Sequence, residues 1–177
     1  MLSIDYEVNW VDIIYCCYGG AHSSPIAAAI HIGQLNSEQI PTASEIWNVQ
    51  LYDRVESSDR GKVNFIGEDE CGNRVYVCGR GSEKQGIEQA IKSGILLAGG
   101  STDGLVFIDT LPAVNILMRI GGFMSRKLKW VRLGRPLVIK GTQLAFFDLV
   151  RIVTAAKKEY GIDCAEAKSK PEKRKTH

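Results

Sequence analysis

Long apolar runs are the first feature that this sequence lacks. No uninterrupted apolar stretch in its 177 residues approaches the roughly 20 residues that cross a bilayer as a helix. The N-terminal region carries Asp5, Glu7 and Asp12, whereas a signal peptide would carry basic residues before an apolar segment. We therefore expect a cytoplasmic protein that has no membrane partner.

The sequence also has little net charge and no cysteine pair with the spacing of a zinc site. A formal charge of +2 is too small to argue for nucleic-acid binding, and much of the basic excess falls in the last ten residues. We expect this tail to be solvated and disordered, and a nucleic-acid arm is the alternative. The five cysteines are odd in number and lack a two-residue gap, so no metal site is predicted and reduced thiols are expected.

What the sequence does contain is a buried strand that leads through glycines into a helix. Residues 11–18 are nearly all apolar, with β-branched and aromatic side chains, and Gly19-Gly20 follows them directly. This pattern is typical of a central strand that is buried on both faces. Ser24 as the N-cap and Pro25 as the first helical residue then predict a helix that ends near Gly33.

Further strands and helices are predicted from the same periodicities. Two short runs, 63–67 and 74–79, form either a hairpin around Gly72-Asn73 or two strand ends beside a loop. A helix over 112–128 is expected to break at Gly121-Gly122. The other predicted elements are a short helix at 44–48, a helix over 82–98, a strand at 105–109, a strand at 137–140 and a helix from 143 to about 160.

This alternation predicts a three-layer α/β fold, with a mostly parallel sheet and helices on both faces, as in Rossmann-like proteins. We expect one domain over residues 1–160 and a basic tail over 161–177. In open sheets of this kind, ligands bind beyond the carboxyl ends of the strands. Residues 19–24 and Asp109-Thr110 both lie at such ends.

The turn between the first strand and the first helix is the predicted anion site. The first turn of a helix leaves backbone N–H groups without partners, and the helix dipole adds positive potential. Glycines let a ligand approach the backbone, serine hydroxyls can donate to it, and His22 can supply a proton or a charge. A tight connection with ordinary helix capping is the alternative. The predicted ligand contacts in this turn are Gly19, Gly20, Ala21, Ser23 and Ser24.

The turn has neither the lysine and glycine spacing of a nucleotide P-loop nor the dinucleotide fingerprint. It resembles the loop Cys-x-Gly-Asn-x-Cys-Arg-Ser-Pro-x-Ala of low-molecular-weight tyrosine phosphatases and related arsenate reductases. The resemblance implies a bound phosphate and makes Cys17 a candidate nucleophile, with a buried structural thiol as the alternative. The residues that match this loop in register are Cys17, Gly19, Ser24, Pro25 and Ala27.

Departures from that loop are as informative as the matches. Gly20 stands in place of the asparagine, His22 in place of the second cysteine, and Ser23 in place of the arginine that holds the phosphate in those enzymes. No aspartate-proline acid motif follows. The resemblance therefore supports the shape of the loop and an anion more than it supports a phosphatase reaction.

An arginine from elsewhere in the chain would supply the charge that Ser23 lacks. Arg80 in Gly-Arg-Gly is the first candidate, and Arg119 and Arg126 come next because their segment mixes glycine, serine and arginine. Arg135 also follows a glycine. An ordinary surface charge is the alternative for each of them.

Three other polar positions have open interpretations. Asp109 ends a strand, so it could bind magnesium, act as a base, or cap the helix that follows. Residues 68–70 form an acidic loop that could hold a metal, but such a turn is usually only solvated. His31 is expected to pack within the protein or to meet solvent.

Most of the body also resembles an uncharacterised bacterial family, domain of unknown function 3189, found mainly in spore-forming Firmicutes. The resemblance rests on Tyr-Gly-Gly-Ala-His-Ser-Ser at 18–24, Gly-Asn-Arg-Val-Tyr-Val-Cys-Gly-Arg-Gly at 72–81 and Met-Arg-Ile-Gly-Gly-Phe-Met-Ser-Arg at 118–126. It implies no activity.

The leading hypothesis is a protein that binds a phosphorylated small molecule or a free anion at the turn and catalyses phosphoryl transfer or hydrolysis. His22, Cys17 and Asp109 are the candidate catalytic residues, and no cofactor is identified. The alternative is a non-catalytic regulatory or scaffold protein that carries a degenerate phosphatase-like loop.

Overall fold

A mixed sheet of four strands organises the molecule. The computed structural model describes residues 10–126 and 131–162. Its strands are β1 (Asp12–Cys17), β2 (Val63–Glu68), β3 (Arg74–Gly79) and β4 (Leu105–Asp109). Its α-helices are α1 (Ser23–His31), α2 (Ala43–Asn48), α3 (Lys84–Leu97), α4 (Ile116–Arg126) and α5 (Val131–Glu159), and short 3-10 turns lie at Ser57–Asp59 and Leu111–Ala113.

The strand order is β2-β3-β1-β4. β1 pairs in parallel with β3 and β4, and β2 lies antiparallel to β3 at one edge. The predicted α/β fold with a mostly parallel sheet is therefore confirmed, and so is the hairpin interpretation of β2 and β3. Its turn includes Gly72 in the left-handed region, with φ of 81°.

β1 is central because its side chains are apolar toward both faces of the sheet. Ile13 and Tyr15 point into the larger core cluster, which α1 and α5 cover. Ile14 and Cys16 point to the opposite face, where Ile87 of α3 packs against them. Helices thus cover both faces of the sheet, and the carboxyl end of β1 lies between its two neighbours.

The strand predicted at 137–140 is wrong, because these residues lie inside α5. The run Leu-Val-Ile-Lys has strand-like composition, and Pro136 before it argued against a helix. Tertiary packing overrides both signals, since Val138 is fully buried in the core shared with α1. The last helix therefore begins at Val131, twelve residues before the predicted start at Gln143.

The predicted helix break at Gly121-Gly122 is also wrong, because α4 continues through both glycines. They mark a close helix contact instead. A Cβ atom added at Gly121 would lie 2.5 Å from the backbone nitrogen of Val138 in α5. Reciprocally, a Cβ added at Gly134 would lie 2.5 Å from the backbone nitrogen of Ser125 in α4. Only glycine allows the two backbones to approach this closely. The end of the predicted helix, 127–128, falls outside the described residues.

We expect Gly121→Ala to destabilise the protein by on the order of 1–3 kcal/mol, because α4 and α5 must move apart to admit the methyl group. The matched control is Gly94→Ala in α3, where an added Cβ meets nothing within 4 Å. This control should be neutral or gain up to about 1 kcal/mol from helix propensity. Urea unfolding of both variants measures the difference, and equal stabilities would contradict the contact.

Two further expectations concern membranes and thiols. Within residues 10–126 and 131–162, none of the helices combines the length and the apolar character that crossing a membrane requires. Cys16, Cys17 and Cys78 are free thiols, as expected, but Cys71 is disulfide-bonded, so the expectation of reduced thiols is wrong for Cys71.

Candidate functional site

The turn from β1 to α1 wraps around the sulfur of Cys17. The backbone N–H of Gly20 and the hydroxyl of Ser24 each donate a hydrogen bond to Cys17 Sγ, at 3.1 Å in both cases. Gly20 adopts a φ of 69°, a conformation that glycine tolerates. The sulfur thus lies at the end of β1 as the acceptor of two donors from the turn.

Backbone N–H groups of the turn remain available to a ligand. Within the described residues, the N–H groups of Gly19, Ala21, His22 and Ser23 donate to no protein acceptor. The first turn of α1 follows directly, so its dipole adds positive potential at the same place. These are the features on which the predicted anion site depends, and the turn has them.

Both serine hydroxyls of the turn are occupied within the protein. Ser24 donates to Cys17 Sγ and does not cap α1, whose N-cap residue is His22. Thr110 donates its hydroxyl hydrogen to the carbonyl of Cys16, so it accepts the hydrogen of Ser23, with 2.9 Å between the two hydroxyl oxygens. Both hydroxyl groups that were predicted to contact a ligand are therefore already engaged within the protein, and only backbone N–H groups of the turn remain for the predicted anion site.

His22 is held by an aspartate that the sequence analysis did not select. His22 Nε2 lies 3.1 Å from Asp53 Oδ1, and the Asp53 side chain is only 1% exposed. Ser125 and Arg135 donate to Asp53 Oδ2 at 2.8 and 3.4 Å. Burial by itself raises the pKa of Asp53, but these hydrogen bonds, with that of His22 the strongest, hold the pKa below its ordinary value.

A pocket of about 540 Å³ opens over the turn. This volume is in the range of small-molecule sites. Leu111, Val114, Met118 and Phe123 give one wall an apolar character. The other residues that line the pocket are Cys17, Tyr18, Gly19, Ala21, His22, Ser23, Arg60, Arg119 and Gly122.

Two arginines give the pocket its charge. Arg60 and Arg119 line it, while none of the lining residues is acidic. Within the described part of the chain, neither arginine has a carboxylate within 4 Å. The guanidinium of Arg60 lies 5.1 Å from the centre of the Tyr18 ring, which positions it at the pocket.

The structure does not bring Arg80 and Asp109 into this pocket. Arg80 is buried and forms ion pairs with Glu88 and with Asp109, the latter at 3.1 Å. Lys84 also contacts Asp109, at 2.6 Å, and Asp109 accepts the backbone N–H of Leu111 at 3.0 Å. Burial raises the pKa of Asp109, but the hydrogen bonds from Lys84 and Leu111 outweigh it and lower the pKa. Asp109 thus accepts the N–H of the first residue of the following 3-10 turn, whose N-cap residue is Thr110.

Two candidate arginines remain. Arg126 is the last residue of α4, and Arg135 donates a hydrogen bond to Asp53. The acidic loop is not simply solvated, because Asp69 is buried and hydrogen-bonded to His31. No group of three His, Cys, Asp or Glu residues able to hold a metal occurs among residues 10–126 and 131–162.

Sequence reasoning missed Asp53 and Arg60. Arg60 precedes Gly61, so the criterion of an arginine beside a glycine would have selected it together with Arg80. Asp53 carried no such signal. It lies in an irregular segment and adopts a φ of 54°, and nothing local indicates that it meets a residue 31 positions earlier.

Fold and site together define an α/β protein with a glycine-containing turn, bordered by a pocket, at the carboxyl end of its central strand. The family described as "Protein of unknown function (DUF3189)" matches residues 12–158, and the chain belongs to this family. The match includes the turn, the pocket walls and Asp53. No curated protein and no solved structure gives a match.

Proposed function

We propose that this protein is a cytoplasmic phosphate-binding protein that holds the phosphate group of a small phosphorylated molecule at residues 17–24. The observation that carries the proposal is the combination of unpartnered backbone N–H groups with Arg60 and Arg119 in one pocket without acidic residues. A helix N-terminus and guanidinium groups are the usual partners of phosphate. Arg119 fills the role that Ser23 leaves open, and Arg60 adds a second charge.

We further propose that Cys17 attacks the phosphorus and that the ester is hydrolysed. Its sulfur borders the pocket and accepts two hydrogen bonds, an environment suited to a nucleophilic sulfur. The phosphoryl group transfers to Sγ while the thiol proton passes to the leaving ester oxygen, and water then releases inorganic phosphate and restores the thiol.

Alkylation of Cys17 tests the site directly. Iodoacetate, which is itself an anion, should modify Cys17 selectively, because Cys16 and Cys78 are 0% exposed whereas Cys17 borders the pocket. Inorganic phosphate should slow this modification. Peptide mapping by mass spectrometry provides the measurement, with Cys16 and Cys78 as internal controls. Modification of Cys17 at the same rate with and without phosphate would contradict the proposal.

Arg119→Gln tests the contribution of the pocket wall to phosphate binding. We expect it to weaken phosphate binding about tenfold, which corresponds to about 1.4 kcal/mol, because one charge-assisted contact is lost. Arg151→Gln is the matched control, since Arg151 is exposed on α5 and pairs only with Asp148 among the described residues. Isothermal titration with inorganic phosphate measures both, and an unchanged affinity in Arg119→Gln would remove this arginine from the site.

A non-catalytic role is the second candidate, and a specific observation favours it. The hydroxyl of Ser23, at the position of the phosphatase arginine, is bonded to Thr110, and Asp109 lies outside the pocket beside Arg80. Phosphate binding without hydrolysis of p-nitrophenyl phosphate would support a regulatory or scaffold protein.

A further inference from the structure

The contact between His22 and Asp53 fixes which nitrogen of His22 carries hydrogen. Asp53 is buried and its pKa is lowered, so its carboxylate is ionised and accepts hydrogen bonds only. His22 Nε2 must therefore be the donor across the 3.1 Å contact. In the neutral ring this leaves Nδ1 with a free lone pair. Within the described residues Nδ1 has no hydrogen-bond partner, and His22 lines the pocket.

Several elements hold this pair in place. Asp53 adopts a φ of 54°, and its backbone N–H donates to the carbonyl of Ala21 at 2.9 Å, which links it to the turn. A non-glycine residue in this conformation costs free energy and persists only where its surroundings require it. The ring of Tyr52 meets the His22 ring edge-on at 5.5 Å.

Helix α4 is shaped to accept the imidazole. A Cβ added at Gly122 would lie 2.9 Å from Cε1 and 3.2 Å from Nδ1 of His22. Gly122 itself lines the pocket, so the Nδ1 edge of the ring lies against the pocket wall. Asp53 and Tyr52, from the segment between α2 and β2, face His22 directly. Ser125 and Arg135 reach it through Asp53. Arg60 and Arg119 line the same pocket as His22.

We infer that His22 is the proton-transfer group of this pocket and that Asp53 is the residue that positions it. The inference rests on the proposed hydrolysis. As the S–P bond to Cys17 forms, neutral Nδ1 takes the proton of the thiol and passes it to the ester oxygen as the P–O bond breaks. Nδ1 then takes a proton from the water that attacks phosphorus and returns it to Cys17 Sγ as the S–P bond breaks. Phosphate leaves, and both side chains return to their starting states.

The experiment compares two phosphate esters in Asp53→Asn. Phenyl phosphate needs a proton on its leaving oxygen, whereas p-nitrophenyl phosphate has a far better leaving group and needs it less. We expect kcat for phenyl phosphate to fall about 100-fold, kcat for p-nitrophenyl phosphate to fall much less, and KM to stay unchanged. A merely structural role for Asp53 would lower both equally. Asp148→Asn, which removes an exposed carboxylate on α5, is the matched control.

Nitrogen NMR of the ligand-free protein gives an independent readout. The neutral His22 ring should carry hydrogen on Nε2 in the wild type, and Asp53→Asn should lose this preference. Ser125→Ala, which removes only the 2.8 Å hydrogen bond to Asp53, is a milder variant that should fold and show a several-fold loss with phenyl phosphate.

The outcomes separate this inference from the proposed function. Wild-type turnover of both esters, with equal losses in Asp53→Asn or with hydrogen on Nδ1 in the wild type, overturns the role of the pair alone. A wild type that binds phosphate but hydrolyses neither ester overturns the proton transfer and leaves the binding proposal standing. A wild type that neither binds phosphate nor hydrolyses the esters overturns both.

Discussion

Replacing Gly79 with alanine is expected to lower phosphate affinity by at least about tenfold, because the new methyl group displaces the turn that forms the site. An added Cβ would lie 2.7 Å from the carbonyl carbon of Gly19 and 3.0 Å from the backbone nitrogen of Gly20. Backbone atoms cannot rotate away as side chains can. The turn must therefore shift, and the Gly20 N–H would lose its hydrogen bond to Cys17 Sγ.

Gly79 occupies this place because β3 lies beside β1 and continues past it. The N–H groups of Arg80 and Gly81 donate to the carbonyls of Cys17 and Tyr18 at 2.9 and 2.8 Å. The hydrogen bonds between the two strands therefore continue into the turn, and they place Gly79 in close contact with it. In the reverse direction, a Cβ added at Gly20 would lie 2.9 Å from the nitrogen of Gly79.

The matched control for Gly79→Ala is Gly86→Ala in α3, where an added Cβ meets only Glu83 Cβ at 4.0 Å. Isothermal titration with inorganic phosphate gives the affinity, and circular dichroism establishes that each variant is folded. Gly20→Ala serves as a second variant if Gly79→Ala does not fold. A folded Gly79→Ala protein with wild-type affinity would show that the turn is not the phosphate site.

Replacing Asp69 with alanine is expected to cost on the order of 3 to 5 kcal/mol of unfolding free energy, because it removes one side of a buried polar network. His31 Nε2 donates to Asp69 Oδ2 at 3.1 Å, and Tyr15 donates its hydroxyl to His31 Nδ1 at 2.7 Å. Asn73 donates to both oxygens of Asp69, through its backbone at 2.9 Å and its side chain at 2.9 Å. Alanine would leave these donors unpaired away from water.

The same network predicts how stability depends on pH. Burial lowers the pKa of His31 and outweighs the opposing effect of Asp69, so the folded state resists protonation of this ring. The unfolded chain takes up that proton as the pH falls through about 6.5. The unfolding free energy should therefore decrease below this pH, at up to about 1.4 kcal/mol per pH unit for one proton.

Asp69 adds a second decrease at lower pH. Burial raises its pKa, but the hydrogen bonds from Asn73 and His31 outweigh burial and hold the pKa below its ordinary value. Its contribution is present above about pH 3.9, the ordinary value for aspartate, and is lost as the pH falls further. Urea unfolding across this range measures both effects.

His31→Gln should be less stable near neutral pH and should lose the decrease that begins near pH 6.5; an unchanged pH dependence would contradict this account.

Local sequence was sufficient for β1, α1 and the turn between them. A continuous apolar run, two glycines and Pro25 each act over a few residues, so their effect needs no distant partner. The N-cap of α1 is the exception, because it is His22 and not the predicted Ser24. The same holds for the hairpin around Gly72, whose left-handed conformation glycine allows. These elements gave the position of the predicted anion site before any packing was known.

Errors arose where distant packing decided the outcome. Residues 137–140 have the composition of a strand, but burial of Val138 in the larger core cluster and the close approach of α4 keep them helical. Gly121-Gly122 carried the local signal of a helix break, whereas the effect of Gly121 is to let the backbones of α4 and α5 approach closely.

The sequence by itself determined β1, α1 and the turn between them, because these depend on backbone conformation and on apolar periodicity within a short segment. Only the tertiary structure decided which charges face the turn. It placed Arg119 and Arg60 at the pocket, paired Arg80 with Glu88 and Asp109 outside it, and brought Asp53 to His22. Side chains far apart in the chain meet only when the sheet order and the helix contacts are fixed, and no local pattern encodes those distances.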